Sequence, residues 1–540
     1  MAVGHPTTEE SRMSVPLSRS RRRPRRAARA AVSVLLGAGL IAGCGGAGST
    51  GGGGSADGGG TLSIALALKP QSLDPGKNGN GGQNIVQWLA YEPLIRLNSD
   101  GSFSPGLATD WGYVDEGNRA FEMTIRTDAE FADGTPVTSQ SVADTINHYI
   151  ANPGPLSHFL SGVTQAEATD EDTVLVSLDS PNPILPVVFS QSSNWGNVIS
   201  PAGLENPEKL TSQTFGAGAY VLDTEETVDG DRYTYVANEN YWNQDAVHWD
   251  KVVVRVLPDA NAALQALQSG QVQVDMNTQG EIVAQARRID GVEVAEGSGA
   301  VQAMFVMDRG GEVTEPLGDV RVRQALNYAV DREAIAAALG EEYTPTAQIA
   351  PVGTDAHDAS LDEEYPYDPE KARQLLAEAG YADGFEIDAL SISLFQTDTL
   401  AQAAASQLEE IGVTLNIKSV GADINQLIAD MATKQYAAVF FNAGTNMFTN
   451  ALQNFASPAS PLNPFASQGE EVMGAFDALA AAPEDQVEDA AVALNRAVVD
   501  QAWFVPLVQS SSYAFTRGIE DVGSVGNAGA LDVLNWTPAP

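Results

Sequence analysis

The sequence predicts a mixed α/β protein of more than one lobe, and three observations carry that reading. The chain has 540 residues, and at roughly 100–200 residues per domain that length calls for two or more compact units. Short runs of alternating apolar and polar residues, the period of a half-buried strand, recur along most of it. In the second half these runs alternate with capped amphipathic helices, the order of a strand–helix–strand crossover in a wound sheet.

The elements follow in chain order. Thr61-Leu-Ser-Ile-Ala-Leu-Ala-Leu68 alternates and reads as a strand, as do residues 121–126 and 173–178. Between the last two, Asp133-Gly134-Thr135-Pro136 is a turn feeding a helix from about Ser139 to Ile150. Residues 232–236 and 251–257 are two more strands. Asp259 then caps a short helix, 261–269, which Gly270 closes, and 271–276 alternates again. Asp368-Pro369-Glu370 opens a helix: an acceptor at the cap, a proline where no donor is needed, an acid near the positive dipole end. Ala372, Leu375, Leu376 and Ala379 share one face of it, and Gly380 ends it. A strand at 385–390, a helix at 400–410 closed by Gly412, and a strand at 413–417 complete the crossover. No internal repeat is visible.

Composition excludes several classes. A hydrophobic content of 43% is ordinary for a globular chain, so global disorder does not follow from the net charge of −41. A single cysteine excludes a disulfide framework and any multi-cysteine zinc site. The acidity excludes a nucleic-acid partner, which needs a basic face to release counterions. The basic residues are unevenly placed. Eight arginines precede residue 44 against only Glu9 and Glu10, and an apolar run follows from Ala30 to Ala42.

A positive flank, a short apolar core and small residues make a secretory signal peptide over residues 1–43. The run is too short to span a bilayer, which takes about 20 apolar residues. It ends Leu40-Ile41-Ala42-Gly43-Cys44, which resembles the bacterial lipobox, and that resemblance implies cleavage before Cys44 and lipidation of its thiol. Arg21-Arg22 and Arg25-Arg26 leave a twin-arginine export route open, and Met13 is a second candidate start. Residues 45–60 are glycine-rich and read as a flexible tether, so 44–60 form a lipidated Cys with its leash. Residues 44–540 carry 21 basic and 68 acidic side chains, a formal charge of −47. Such a body is repelled by an anionic bilayer, so a lipid group has to supply the localisation.

Several stretches of the body together resemble the bacterial extracellular solute-binding protein family 5, the peptide-, nickel- and oligosaccharide-type receptors of ABC importers. They are Gln71-Ser-Leu-Asp-Pro75, Tyr91-Glu-Pro-Leu94, Leu107-Ala-Thr-Asp-Trp111 and Phe131-Ala-Asp-Gly-Thr-Pro136. Phe215-Gly-Ala-Gly-Ala-Tyr220, Asn238-Glu-Asn-Tyr-Trp242 and Gln268-Ser-Gly-Gln-Val272 follow in order, and the strongest is Asp319-Val-Arg-Val-Arg-Gln-Ala-Leu-Asn-Tyr-Ala-Val-Asp-Arg-Glu333. Most of these are structural in kind. Arg321 and Arg323, with Asp319 and Asp331, are expected to pin and cap helices, and Tyr241-Trp242 to pack in a core.

The resemblance implies a two-lobed, periplasmic-binding-protein-like α/β fold, a hinged clamshell with an extra subdomain in the first lobe. Lobe I is then expected at 61–95, 212–300 and 505–540, the extra subdomain at 96–211, and lobe II at 301–504. It further implies a receptor that captures a peptide or other small solute between the lobes and delivers it to an ABC permease and its ATPase subunits. The expected setting is the outer face of the cell membrane, in a periplasmic-type space, as a lipid-anchored monomer without cofactor or metal.

Peptide receptors of the family commonly carry Gly-Trp-x-Ala-Asp-Tyr after a late strand, with the aspartate on the peptide's ammonium. Here the matching stretch, Ala438-Val-Phe-Phe-Asn-Ala-Gly-Thr-Asn446, puts Thr445 at the aspartate and Asn442 near the tryptophan. A hydroxyl and an amide there suit an uncharged group, so a sugar, an opine-like compound or a capped peptide stays open beside a free peptide. The candidate ligand residues are Phe440, Asn442, Thr445 and Asn446 with Asn84, Trp88, Asn194 and Trp195 from earlier loops, where Gln87 and Ser193 are neighbours. Met304, Phe305 and Met307 read as core.

Two rival classes have less support. A secreted lipid-anchored hydrolase would share the leader, but the chain has neither HExxH nor GxSxG, and after residue 44 its histidines are His148, His158, His248 and His357, widely scattered. An adhesive surface protein predicts repeats or a long low-complexity stalk, and the glycine tether is the one such segment.

Overall fold

The computed structural model describes residues 60–539, except 80–81, 99–101, 116, 278, 353, 355, 444–451, 453–459, 484–485 and 521–532. The leader, Cys44, most of the tether, Thr445 and Asn446 therefore lie outside the described residues.

One 11-stranded sheet runs through the body. Its order is Val413–Ser419, Phe385–Ser391, Ala438–Ala443, Glu293–Val306, Phe504–Thr516, Val274–Asn277, Gly60–Leu66, Trp249–Val256, Arg232–Ala237 and Tyr220–Leu222, with Tyr343–Pro345 paired to Phe504–Thr516. A separate four-stranded antiparallel sheet, ordered Ala108–Tyr113, Ala120–Ile125, Thr173–Leu178 and Val163–Ala168, packs under the helix Ser139–Ala151. The parallel pairing of Phe385–Ser391 with Val413–Ser419 around the helix Thr397–Glu409 is the predicted crossover.

Local chemistry explains most element ends. Asp259 and Asp368 accept the backbone N–H of Ala262 and Lys371, capping the helices Ala260–Gln268 and Pro369–Ala379. Gly380 closes the second at φ 95°, a conformation that a side chain would strain. The expected strand at 271–276 is displaced to Val274–Asn277. Its first residues instead finish the preceding helix, with the amides of Gln271 and Val272 donating to Ala266 O.

The apolar cores fall into two sets. Residues up to Ala295, together with Tyr513, Ala514, Phe515, Ile519, Val533 and Trp536, fill one set, and residues from Val301 to Val508 fill the other. The four-stranded sheet and its helix share the first set, through Phe121, Met123, Val142 and Val174. Two antiparallel strands, Glu293–Val306 and Phe504–Thr516, run through both sets, and their register shifts between Gly297 and Gly299. On the second strand the change of core lies between Val508 and Tyr513, later than the expected boundary at 505.

The arginine-rich signature is a structural device. Asp319 and Asp331 cap the helices Val320–Tyr328 and Arg332–Leu339. Arg323 donates to Gln501 O and Leu317 O, and the buried Arg332 donates to Pro506 O, Asn327 O, Tyr365 O and Asn327 Oδ1. Arg323 thereby ties its helix to the turn before the second crossing strand, and Arg332 ties its helix to the strand itself at Pro506. Burial lowers each of them to about 10, so they remain charged at neutral pH. Tyr241 is buried with its hydroxyl donating to Glu92, and Arg126 lies 3.2 Å over the Trp242 ring. Met304, Phe305 and Met307 are core residues. No described helix is long and apolar enough to cross a membrane.

Candidate functional site

Beyond the first strand the chain folds into a tight segment whose buried amides form a directed relay. The backbone N–H of Gln71 donates to Asn78 Oδ1 at 3.1 Å, and an N–H can only donate, so the orientation of the Asn78 amide is fixed. Its Nδ2 therefore donates to Asn84 Oδ1 at 2.8 Å and to Gln87 Oε1 at 2.9 Å. Gln87 Nε2 passes on to the carbonyl of Ser72 at 3.1 Å. Asn84 Nδ2 has no onward partner among the described residues, although the residue is fully buried. An unpaired buried donor costs roughly 1–3 kcal/mol, so the relay leaves the Asn84 amide with a donor that no described residue accepts.

Trp88 stands one turn further on, half-buried, with Nε1 donating to Gln191 O at 2.8 Å. That bond joins the relay to the loop 190–197. There Asn194 is buried in the left-handed region at φ 63°, which asparagine tolerates better than most residues. Ser193 Oγ, Asn194 Nδ2 and Asn197 Oδ1 are further buried polar atoms without partners among the described residues. Gly196 lets the loop press on its neighbour, since a Cβ there would lie 1.8 Å from Phe189 O.

Trp195 belongs to the core, a correction to its reading as a ligand residue. It is 2% exposed, its Nε1 donates to Leu156 O, and Tyr149 meets its ring edge-on with centroids 5.0 Å apart. With its donor taken and Tyr149 packed on the ring, the indole is structural.

In the second lobe, Ala438–Ala443 pairs antiparallel with the first crossing strand and sets Asn442 opposite Gln302. Asn442 is half-buried. Phe440 is 1% exposed and packs among Met304, Ala389 and Val508, so it too is core rather than a ligand wall. Gln302 is buried, donates from Nε2 to Ser510 Oγ at 2.8 Å on the other crossing strand, and leaves Oε1 unpartnered among the described residues.

Of the predicted residues, Asn84, Trp88 and Asn194 thus gather polar groups in the first lobe, and Asn442 lies beside the crossing strands in the second. Sequence reasoning missed Asn78, Asn197, Gln302 and Ser510. Gln302 carried a usable signal, a lone amide inside the apolar run Ala300–Met307. No group of three or more His, Cys, Asp or Glu side chains suited to a metal occurs among the described residues. The chemistry on offer is hydrogen bonding by neutral amides and hydroxyls.

Residues 102–463 match the family described as bacterial extracellular solute-binding proteins, family 5 Middle. The chain is 28% identical over 358 residues to heme-binding protein A of Haemophilus influenzae, covering 61% of this chain and 62% of that protein. It is 27% identical over 365 residues to the glutathione-binding protein GsiB of Salmonella typhimurium, covering 66% and 69%. The chain thus spans between three fifths and about two thirds of the length of these curated relatives. Among solved structures, the binding protein AgaA of A.tumefacien R10, in complex with agropinic acid, superposes with a TM-score of 0.76 at 22% identity, covering 89% of this chain and 99% of that one. The periplasmic binding protein DppA of Helicobacter pylori, in complex with a peptide, gives 0.75 at 18%, with the same coverage. The fold is that of two-lobed periplasmic binding proteins.

Proposed function

The chain belongs to the bacterial extracellular solute-binding proteins of family 5, and on that premise we propose that it is the capture subunit of an ABC importer. It takes up a peptide or similar small solute between its lobes and presents the closed form to a membrane permease and its ATPases. Two cores joined by two crossing strands suit this task, because a solute touching both lobes shifts an open–closed equilibrium by its differential affinity. Lobe I is taken as 61–95, 212–300 and the end of the chain, and lobe II as the stretch from 301. The change of core between Val508 and Tyr513 on the second crossing strand supports a last boundary there. Export and acylation of Cys44, followed by the glycine tether, would hold a monomer at the outer face of the membrane.

The observation that carries the reading is the oriented amide of Asn84, unpartnered among the described residues, with Asn194 as a second such amide. These donors suit a carbonyl, hydroxyl or carboxylate oxygen of the solute. Relatives named for heme, glutathione, peptides and an opine show how widely the family's ligands vary. A non-peptide solute is the second reading, supported by the neutral Asn442 and by Thr445 at the position where peptide receptors carry an aspartate.

The test is native mass spectrometry of the purified chain, followed by melting in the presence of whatever solute is released. One stoichiometric small molecule that raises the melting temperature is the expected result. Turnover of that molecule, or failure of peptide, opine, glutathione and heme pools alike to stabilise the chain, would overturn it.

A further inference from the structure

The lobes are also joined away from the crossing strands. The hairpin Ala108–Tyr113 with Ala120–Ile125 belongs to the first lobe, since Phe121 lies in its core. The helix Glu470–Ala480 belongs to the second, through Val472 and Leu479. Asn118, at the tip of the hairpin, donates from Nδ2 to Ala480 O at 2.8 Å. A helix cannot satisfy its last four carbonyls by itself, and Ala480 is the final residue of this one.

The tip is built to present that amide. Asp115 Oδ1 accepts the N–H of Arg119 at 2.8 Å and of Ala120 at 3.0 Å, closing the turn. Asn118 itself stands at φ 50°, the left-handed region that favours glycine and asparagine. Below it, the Tyr113 and Phe121 rings meet edge-on at 5.0 Å and stiffen the strands. Among the described residues, Arg287 with Glu342, Tyr513 with Glu342, and Ser511 with Glu296 are polar links on or beside the crossing strands.

We propose that Asn118 is an interlobe latch, a positioning residue that caps the helix Glu470–Ala480 when the lobes are closed and so biases the receptor toward the closed form. It touches no part of the solute site described above. The inference rests on the solute-receptor reading for its purpose, but the closing bias is a property of the chain itself.

The test needs no solute. Spin labels at Lys209→Cys and Gln374→Cys, exposed sites in the first and second lobes, are placed in the full chain carrying Cys44→Ser. Interlobe distances are then read by double electron–electron resonance. Asn118→Gly keeps the left-handed backbone unstrained and deletes only the amide. Losing one hydrogen bond should move the closed-to-open ratio roughly two- to tenfold toward open. Asn118→Asp, which sets a negative charge against the negative end of the helix, should move it further. Melting temperature serves as the control for a merely structural role. A shift toward longer distances in both variants, at unchanged melting temperature, supports the latch. Distance distributions equal to those of the unsubstituted chain, or a shift seen only together with loss of the folded hairpin, overturn it. Failure of the solute reading would leave these distances untouched, so the two can fail separately.

Discussion

Replacing Asp275 by asparagine should change how stability depends on pH. Asp275 lies in the strand Val274–Asn277 opposite Phe515, in the layer beneath the helices Ala260–Gln268 and Gly280–Ala286. It is 4% exposed, and its Oδ2 has no partner among the described residues. Burial pushes its carboxyl up from 3.8 to about 7, against a smaller opposing pull from the Met276 N–H. The sign follows from proton binding. Between about pH 4 and 7 the unfolded chain has released a proton that the folded chain still holds, so stability falls as pH rises through that window. Below it the penalty is absent, and above it the penalty is complete. A displacement of roughly three pH units at about 1.36 kcal/mol each sets an upper figure of about 4 kcal/mol. For a folded body of about 480 residues, roughly 2.1 cal/mol/K per residue makes this about 4 °C. The assay is thermal melting of both proteins from pH 4.5 to 8.5. Asparagine leaves its own unpaired amide, but that cost does not vary with pH. The melting temperature of Asp275→Asn minus that of the unsubstituted chain should therefore rise by a few degrees between acid and neutral pH and then level off. A difference that stays constant across the range would show that Asp275 does not hold its proton in the folded chain.

Three further outcomes are expected. Arg332→Lys keeps the charge but loses the planar fork that serves Pro506 O, Asn327 and Tyr365 O, and should cost about 3 kcal/mol in urea unfolding. Gly299→Val should destabilise the crossing strands, because a Cβ there would lie 2.8 Å from Ser510 O and 2.6 Å from the Gln509 side chain; equal urea midpoints would contradict this. Cys44→Ser should move the protein from the membrane pellet to the soluble fraction, and retention in the pellet would count against a lipid anchor.

Where local chemistry decides, the sequence was legible. Asp368-Pro369-Glu370 and Gly380 bound a helix for reasons contained within a few residues, and the structure has it at Pro369–Ala379. The caps at Asp259, Asp319 and Asp331 are of the same kind. The crossing strands were not legible as strands. Glu293–Val306 contains glycine at 297 and 299 and owes its extension to partners such as Ser511 and Phe504, more than 190 residues away in sequence. The site divides along the same line. Loop amides stand out by residue type, so Asn84 and Asn194 could be singled out as candidates from the sequence alone. Burial is a tertiary property, and nothing local to Trp195 or Phe440 announced that Tyr149 or Met304 would pack against them. The orientation of Asn84 was likewise invisible, because it is transmitted from the Gln71 N–H through Asn78.

The central claim is that two lobes close on a solute, and small-angle X-ray scattering of the chain with and without its co-purifying molecule tests it most directly. Saturable 1:1 contraction is expected, with a smaller radius of gyration in the loaded form and weaker binding by Asn84→Leu. A scattering profile that does not change at saturating solute, or conversion of that solute into a product, would contradict it.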